Sequence, residues 1–207
     1  MKIKYIISAV ILLLTAQILN ARNPERKVEL TGGLEWGYTA TFYQNHSYIF
    51  YDEEGMRVDM VGGAFDYVSN GHILGRLGLR FFNRADLTFN FGYCGIQDAR
   101  RILTYSLRAG YYYKGYRNNG IFNFLEGGVG GASTFESLPI VFGKIGLGYR
   151  IKLNDDLSLD AIISYQMTED HPKNIEDRDH NIIAYYHQIQ RSDIFNSALN
   201  FSIALNF

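Results

Sequence analysis

Charged side chains at regular places within otherwise apolar, alternating segments are the first chemistry that this sequence of 207 residues offers. Glu35, Arg76, Arg108, Glu126 and Lys144 stand near the middle of such segments, and Glu29, Arg80, Arg150 and Asp160 stand nearer one end. Five cations face four anions, a near balance. Confined charges do one of two things. They pair, because an unpaired buried charge is costly, or they line a path for ions, because rings of charge select ions. The expectation here is a network of salt bridges, with a gate or ion pathway as the alternative.

The connecting segments hold the remaining candidates. His46, Ser47, Asp52, Glu53 and Glu54 fall in the first long link, and His171, His180 and His187 fall around the last. A Ser/His/acid set would suit acyl hydrolysis or transfer. Adjacent residues on a β-chain point opposite ways, however, so His46-Ser47 does not form such a pair. Three histidines spaced nine and seven residues apart do not define a metal site. His72 has no nucleophile beside it. Cys94 is the one cysteine of the chain, which excludes an intramolecular disulfide and a Cys-based zinc site. No catalytic residue is assigned, no cofactor is expected and no metal site is expected.

Positioning the charges requires strands. The chain is aromatic-rich (16 Tyr, 14 Phe, 1 Trp) and glycine-rich (21 Gly) with only 3 Pro, a composition of β-structure. From Val28 the even positions run Val28, Leu30, Gly32, Leu34, Trp36, Tyr38, Ala40, Phe42, and the odd positions between them are Glu, Thr and Gly. Such alternation gives a strand one apolar and one polar face. The pattern recurs in segments centred near Leu79, Phe91, Leu107, Gly127, Leu147, Ile163 and Leu199, making eight strands. Short polar turns (Asn83–Asp86, Gly115–Gly120, Asn154–Asp156) alternate with links expected to be longer: Tyr43–Gly71, Gly95–Arg101, Ala132–Pro139 and Thr168–Asp193. Within the first of these, the acidic turn Asp52-Glu53-Glu54-Gly55, flanked by aromatics, reads as a protruding hairpin. The predicted fold is all-β, an eight-stranded antiparallel up-and-down transmembrane β-barrel over residues 26–207.

The orientation of the two faces follows from volume. An eight-stranded barrel has an interior just wide enough for side chains. Gly, Ser, Thr and a few long charged residues fit there, whereas stacked Tyr, Phe and Leu are expected not to. The apolar face then looks outward, into lipid. Phe81, Tyr111, Tyr113, Tyr149 and Phe207 fall near the short-turn ends, and Phe42, Tyr93, Tyr165 and Phe195 near the other, as two interfacial belts require. In such a narrow lumen the paired charges act as a plug.

Lys2 and Lys4 ahead of the apolar run Tyr5–Leu14 have the form of a secretory signal peptide, residues 1–21, with cleavage after Ala21 or Ala16. The run is too short to span a bilayer as a helix. Its loss removes both lysines and takes the formal net charge from -1 to -3, which excludes a strongly basic nucleic-acid binder.

At the end of the chain, Ser197-Ala198-Leu199-Asn200-Phe201-Ser202-Ile203-Ala204-Leu205-Asn206-Phe207 alternates to a terminal Phe. With the strand pattern from Val28 onward, it resembles the small outer-membrane barrels of the OmpA/OmpX type and the broad outer-membrane β-barrel domain family. The resemblance implies a Gram-negative-type outer membrane and cell envelope as the location. It also implies that Phe201, Ile203, Leu205 and Phe207 form the signal read by the barrel-assembly machinery. Outer-membrane lipid and lipopolysaccharide are the expected surroundings, and a monomer the expected state. The expected role is structural, or surface interaction through the loops. A lipid A modifying enzyme and a porin-like small-solute pore are the alternatives.

Overall fold

The computed structural model describes residues 28–52, 54–65, 67–97, 100–132, 140–172, 175–177, 182–184 and 187–207. The expected signal peptide, Glu53 and His180 lie outside the described residues. Eleven strands are found among them: β1 (Val28–Tyr51), β2 (Arg57–Ala64), β3 (Val68–Phe81), β4 (Ala85–Gln97), β5 (Arg100–Tyr112), β6 (Gly120–Ala132), β7 (Ile140–Lys152), β8 (Ser158–Asp170), β9 (Ile175–Asp177), β10 (Ile182–Ala184) and β11 (Ile189–Asn206). All strand pairings among the described residues are antiparallel. Eight strands, β1, β3 to β8 and β11, form a ring that closes through β11–β1 pairing, so the fold is all-β as expected and each ring strand has neighbours on both sides. Closure satisfies the strand edges, which a bilayer demands.

Period-two patterning drives this arrangement. On β7, Ile140, Phe142, Lys144, Gly146, Gly148 and Arg150 are buried, while the residues between them are exposed. Following cross-strand partners around the ring from Glu29 leads through Arg80, Asp86, Gly110, Phe124, Gly146, Ser164 and Asn200 to Thr39, ten residues further along β1. With ordinary strand spacings, that stagger tilts the strands about 40° from the barrel axis.

The short-turn end is built as the sequence suggests. Phe82 and Asn83 both take positive φ (50° and 55°), and Arg84 N–H donates to Phe81 O at 3.1 Å. Positive φ at both central residues of the turn 81–84 is the mark of a type I′ turn, here within a three-residue connection. In the 153–157 turn, Asn154 Oδ1 accepts from the N–H groups of Asp156 and Leu157. There the hydrogen bond from Lys152 Nζ to Asp155 Oδ1 (2.6 Å) holds the Asp155 carboxyl below its usual range.

At the other end, two expected links are replaced largely by strand. The stretch expected as a link from Tyr43 is mostly hairpin, because β1 continues to Tyr51 and β2 returns beside it. A register shift between Thr41 and Tyr43 explains why the continuation is hidden in the sequence. One extra residue reverses the parity of the pattern, so that Thr41 and then Gln44 follow one another along the same side. The link expected over Gly95–Arg101 contracts, since β4 reaches Gln97 and β5 begins at Arg100. Within the last long link, β9 and β10 pair as a small hairpin of their own.

Candidate functional site

The inward faces of the eight ring strands converge on the lumen, where the charged residues form two layers. In the upper layer Arg108 is central. Its Nη1 and Nη2 donate to Glu35 (2.7 and 3.2 Å), and its Nε donates to Glu126 (2.7 Å). Ser202 Oγ donates to Glu35 and Ser106 Oγ to Glu126, completing both carboxylates. Arg76 Nη1 and His72 Nε2 each lie 3.7 Å from Glu35, and Lys144 Nζ lies 3.7 Å from Glu126. All these side chains are buried. The layer joins β1, β3, β5, β6, β7 and β11, so its ion pairs cross the lumen as well as following neighbouring strands.

The lower layer is held by Arg150 and Asp160, which form a two-pronged pair at 2.6 and 2.7 Å. Planar guanidinium–carboxylate matching of this kind is the stronger form of ion pair. Asn206 Nδ2 also donates to Asp160, at 2.9 Å. Glu29 receives Arg80 (3.1 Å) and Arg117 (2.7 Å). Thus Glu35, Arg76, Arg108, Glu126 and Lys144 stand together in one layer, and Glu29, Arg80, Arg150 and Asp160 near the short-turn end.

Aromatic side chains also occupy the lumen, contrary to the expectation that only small and charged groups fit. Tyr112, Tyr116, Phe122, Phe124 and Phe142 are all buried. Glycine on the neighbouring strand makes the room. A Cβ on Gly148 would lie 2.2 Å from the Phe122 ring, one on Gly146 2.4 Å from Phe124, and one on Gly128 2.7 Å from Phe142. Each ring therefore lies flat over a glycine instead of projecting to the barrel axis. The rings then interleave with guanidinium groups. Arg80 lies 3.8 Å from the Tyr116 centroid, Arg150 3.6 Å from Tyr116 and 4.5 Å from Tyr112, and Arg108 4.3 Å from Phe124. Cation–π contact of desolvated arginines adds to the ion pairs. Substituting Gly148→Ala is expected to lower unfolding stability by about 1–3 kcal/mol through overpacking. Urea titration in lipid vesicles checks this, and Phe122→Ala on the same chain should recover part of the loss.

The base is sealed by the turn between β5 and β6. Tyr116 N–H donates to Asn83 O (2.7 Å), its hydroxyl meets Thr31 Oγ1 (2.7 Å), and its carbonyl accepts from Arg150 Nη1 (3.2 Å). Arg117 N–H donates to Asn83 Oδ1, and Lys152 N–H to Asn119 Oδ1. The turn is thereby fixed to the β3–β4 turn and to strands β1 and β7.

Several of these residues escape a reading by sequence. Asp86 belongs to β4 and not to the preceding turn. It is buried and accepts from Tyr112 Oη and Thr88 Oγ1. Its parity with Thr88 and Asn90 was the available signal. Tyr116 gives none, because it comes from a turn. Of the other candidates, His46 stacks on Tyr48 (5.1 Å) on the extended part of β1. His171 Nδ1 meets Asp193 at 2.8 Å, and Cys94 lies buried with Ile102 and Ile140. The terminal set sits on the outer wall of β11 and just beyond it, with Phe201, Ile203 and Phe207 exposed and Leu205 partly so.

The outer wall has the opposite character. Trp36, Tyr38, Ile73, Tyr93, Leu107, Leu125, Ile145, Leu147 and Phe201 are among the large apolar side chains exposed there. A polar, ion-paired interior inside an apolar wall inverts the plan of a soluble barrel and fits hydrocarbon as solvent. Fold and lumen together define a closed eight-stranded transmembrane β-barrel.

Among solved structures, the outer membrane protein OprG from Pseudomonas aeruginosa is similar, with 11% sequence identity, coverage of 86% of this chain and 95% of that one, and a TM-score of 0.50. Neisserial surface protein A (NspA) is matched at 10% identity over 87% of this chain and 98% of that one, with a TM-score of 0.47. At such identity the likeness to OprG is one of fold. No protein-family model matches the chain, and neither does any curated protein sequence.

Proposed function

We propose that this chain is an integral outer-membrane barrel that does not conduct solutes and that acts as a structural and surface-interaction protein through its long-link end. The observation that carries the reading is the cross-lumen layer in which Arg108 links Glu35 to Glu126, above a base closed by Tyr116. Side chains that pair in this way occupy the path a solute would take. The paired charges share the lumen with the buried cluster of Tyr112, Tyr116, Phe122 and Phe124, and the two together act as a plug. The short turns face the periplasm and the long-link end faces outward, the usual arrangement of such barrels. Outer-membrane lipid and lipopolysaccharide surround a monomer, which the barrel-assembly machinery inserts. Exposure of the apolar wall supports the location, and the fold of OprG accords with it.

The test combines fractionation and conductance. The protein should be recovered with outer membranes and show heat-shifted gel mobility. In planar bilayers it should give no current steps at physiological salt. Regular, salt-dependent steps from the wild-type barrel would overturn the sealed lumen, and recovery in the soluble periplasmic fraction would overturn the location.

A further inference from the structure

Above the ring, β1 keeps two partners after the other strands have ended. Its pairing with β3 stops at Thr41, whereas it pairs with β2 from Gln44 to Tyr51 and with β11 as far as Phe50. These three strands make a panel that extends beyond the rim. The panel has a packed side, where Tyr48, Phe50 and Ile194 are buried with Val58, Met60 and Ile189 against them. Strand β2 is the last in the sheet order, and among the described residues β1 is its only strand partner. Its eight residues therefore present a row of backbone N–H and C=O groups along the outer edge. Such an edge is a template for another strand. Proteins usually blunt these edges with lysine, proline or inward charge. The sequence Arg57-Val58-Asp59-Met60-Val61-Gly62-Gly63-Ala64 contains neither lysine nor proline, and its one arginine is held by Asp59 in the same strand at 2.8 Å.

The surroundings select the partner by charge. Near the panel, Asp52, Glu54, Asp59, Glu169 and Asp193 face two described cations, Arg57 and Arg191, each already paired with an aspartate. A second copy of this chain would bring the same acidic excess to the edge and be repelled.

We infer that the free edge of β2 binds an extended, basic polypeptide segment of another protein, which adds to the panel as a further strand. This rests on the reading of the long-link end as the outward, interacting end of a membrane barrel. Backbone pairing with β2 supplies the common affinity, while the acidic surroundings choose lysine- or arginine-bearing segments and attract them from solution. A suitable segment is extended, at most about as long as β2, and alternates apolar with basic residues.

The experiment uses the full folded barrel in detergent micelles, with heat-shifted gel mobility run on the same sample. Fluorescence anisotropy follows a labelled peptide of alternating lysine and valine. Two controls are a glutamate–valine peptide of the same length and the lysine–valine peptide N-methylated at alternate residues. The inference expects saturable binding of the lysine–valine peptide. It also expects a loss of about tenfold or more in affinity for each control, equivalent to one decade of Kd. The double variant Glu54→Lys, Asp59→Lys should weaken the lysine–valine peptide and strengthen the glutamate–valine one. Equal binding of the N-methylated peptide would show a charge effect without strand addition and overturn the inference. So would absence of peptide binding by a sample with normal heat-shifted mobility, or occupation of the edge by self-association seen in sedimentation. A sample lacking heat-shifted mobility and recovered as a soluble protein would instead strike at the barrel reading itself.

Discussion

Replacing Arg108 with methionine is expected to be the most damaging single change in the lumen. The wild-type guanidinium satisfies Glu35 through two nitrogens and Glu126 through a third. Methionine keeps much of the volume but removes all three hydrogen bonds, leaving two buried carboxylates with partners no nearer than 3.7 Å among the cations. Breaking a buried ion pair by removing one partner costs about 3–5 kcal/mol, most of it for the charge left behind. A urea titration in lipid vesicles, followed by gel mobility without heating, should show a large fall in the midpoint. The same variant carrying Glu35→Gln and Glu126→Gln should regain little of that fall, because Arg76 and Lys144, each 3.7 Å from one of these carboxylates, then become the buried charges without partners. An unchanged midpoint for Arg108→Met would mean that Arg108 does not hold the lumen together. Planar-bilayer recordings of the triple variant add a second measure. Small, irregular currents are expected, since the upper layer is weakened while the Tyr116 seal stays.

Removal of Phe207 is the second large effect expected. Phe207 N–H donates to Gly32 O at 2.9 Å, and Gly32 N–H donates to Phe207 O at 3.0 Å. The ring lies over Gly32, where an added Cβ would stand 3.1 Å from Phe207 Cε2. Deletion removes both closing hydrogen bonds and bares the glycine, a loss of about 2 kcal/mol from the hydrogen bonds alone. If the terminal residues are also the assembly signal, the loss in cells should exceed the loss in refolding. The measurement is therefore a comparison. The fraction of heat-shifted protein in isolated membranes is set against the fraction obtained by refolding into vesicles. A drop confined to the membranes would indicate a signal read during assembly, and an equal drop in both a purely structural role. Phe207→Trp should retain most of the wild-type level in either assay, since it keeps an aromatic ring over Gly32.

Much of the barrel is legible in the sequence because a strand writes its two faces in alternate positions. The pairs Arg150–Asp160 and Arg108–Glu126 are cross-strand neighbours across short turns, so counting from the turn nearly places them. Glu35 is different. It meets Arg108 across the lumen, and no local spacing indicates that. The aromatic filling is hidden for a related reason. In β6, Phe122 and Phe124 share parity with Glu126, but whether a ring can lie inward depends on Gly146 and Gly148 in β7. Only the register between the strands reveals the match. The hairpin of β1 and β2 is hidden by the shift at Thr41, which changes parity midway along a strand. The seal at Tyr116 comes from a turn, where periodicity has no meaning.

The closing seam pairs the first and last strands of the ring, with Leu34 opposite Leu205 and Trp36 opposite Ile203. No nearer-in-sequence contact can substitute for it, so the slowest loop to close is the whole domain. A ribosomal product that stopped before β11 would carry two open edges, on β1 and on β8, whatever the quality of the six hairpin contacts already made. Ring closure therefore distinguishes a finished chain from a fragment by geometry, since only the finished chain leaves no open edge in the ring.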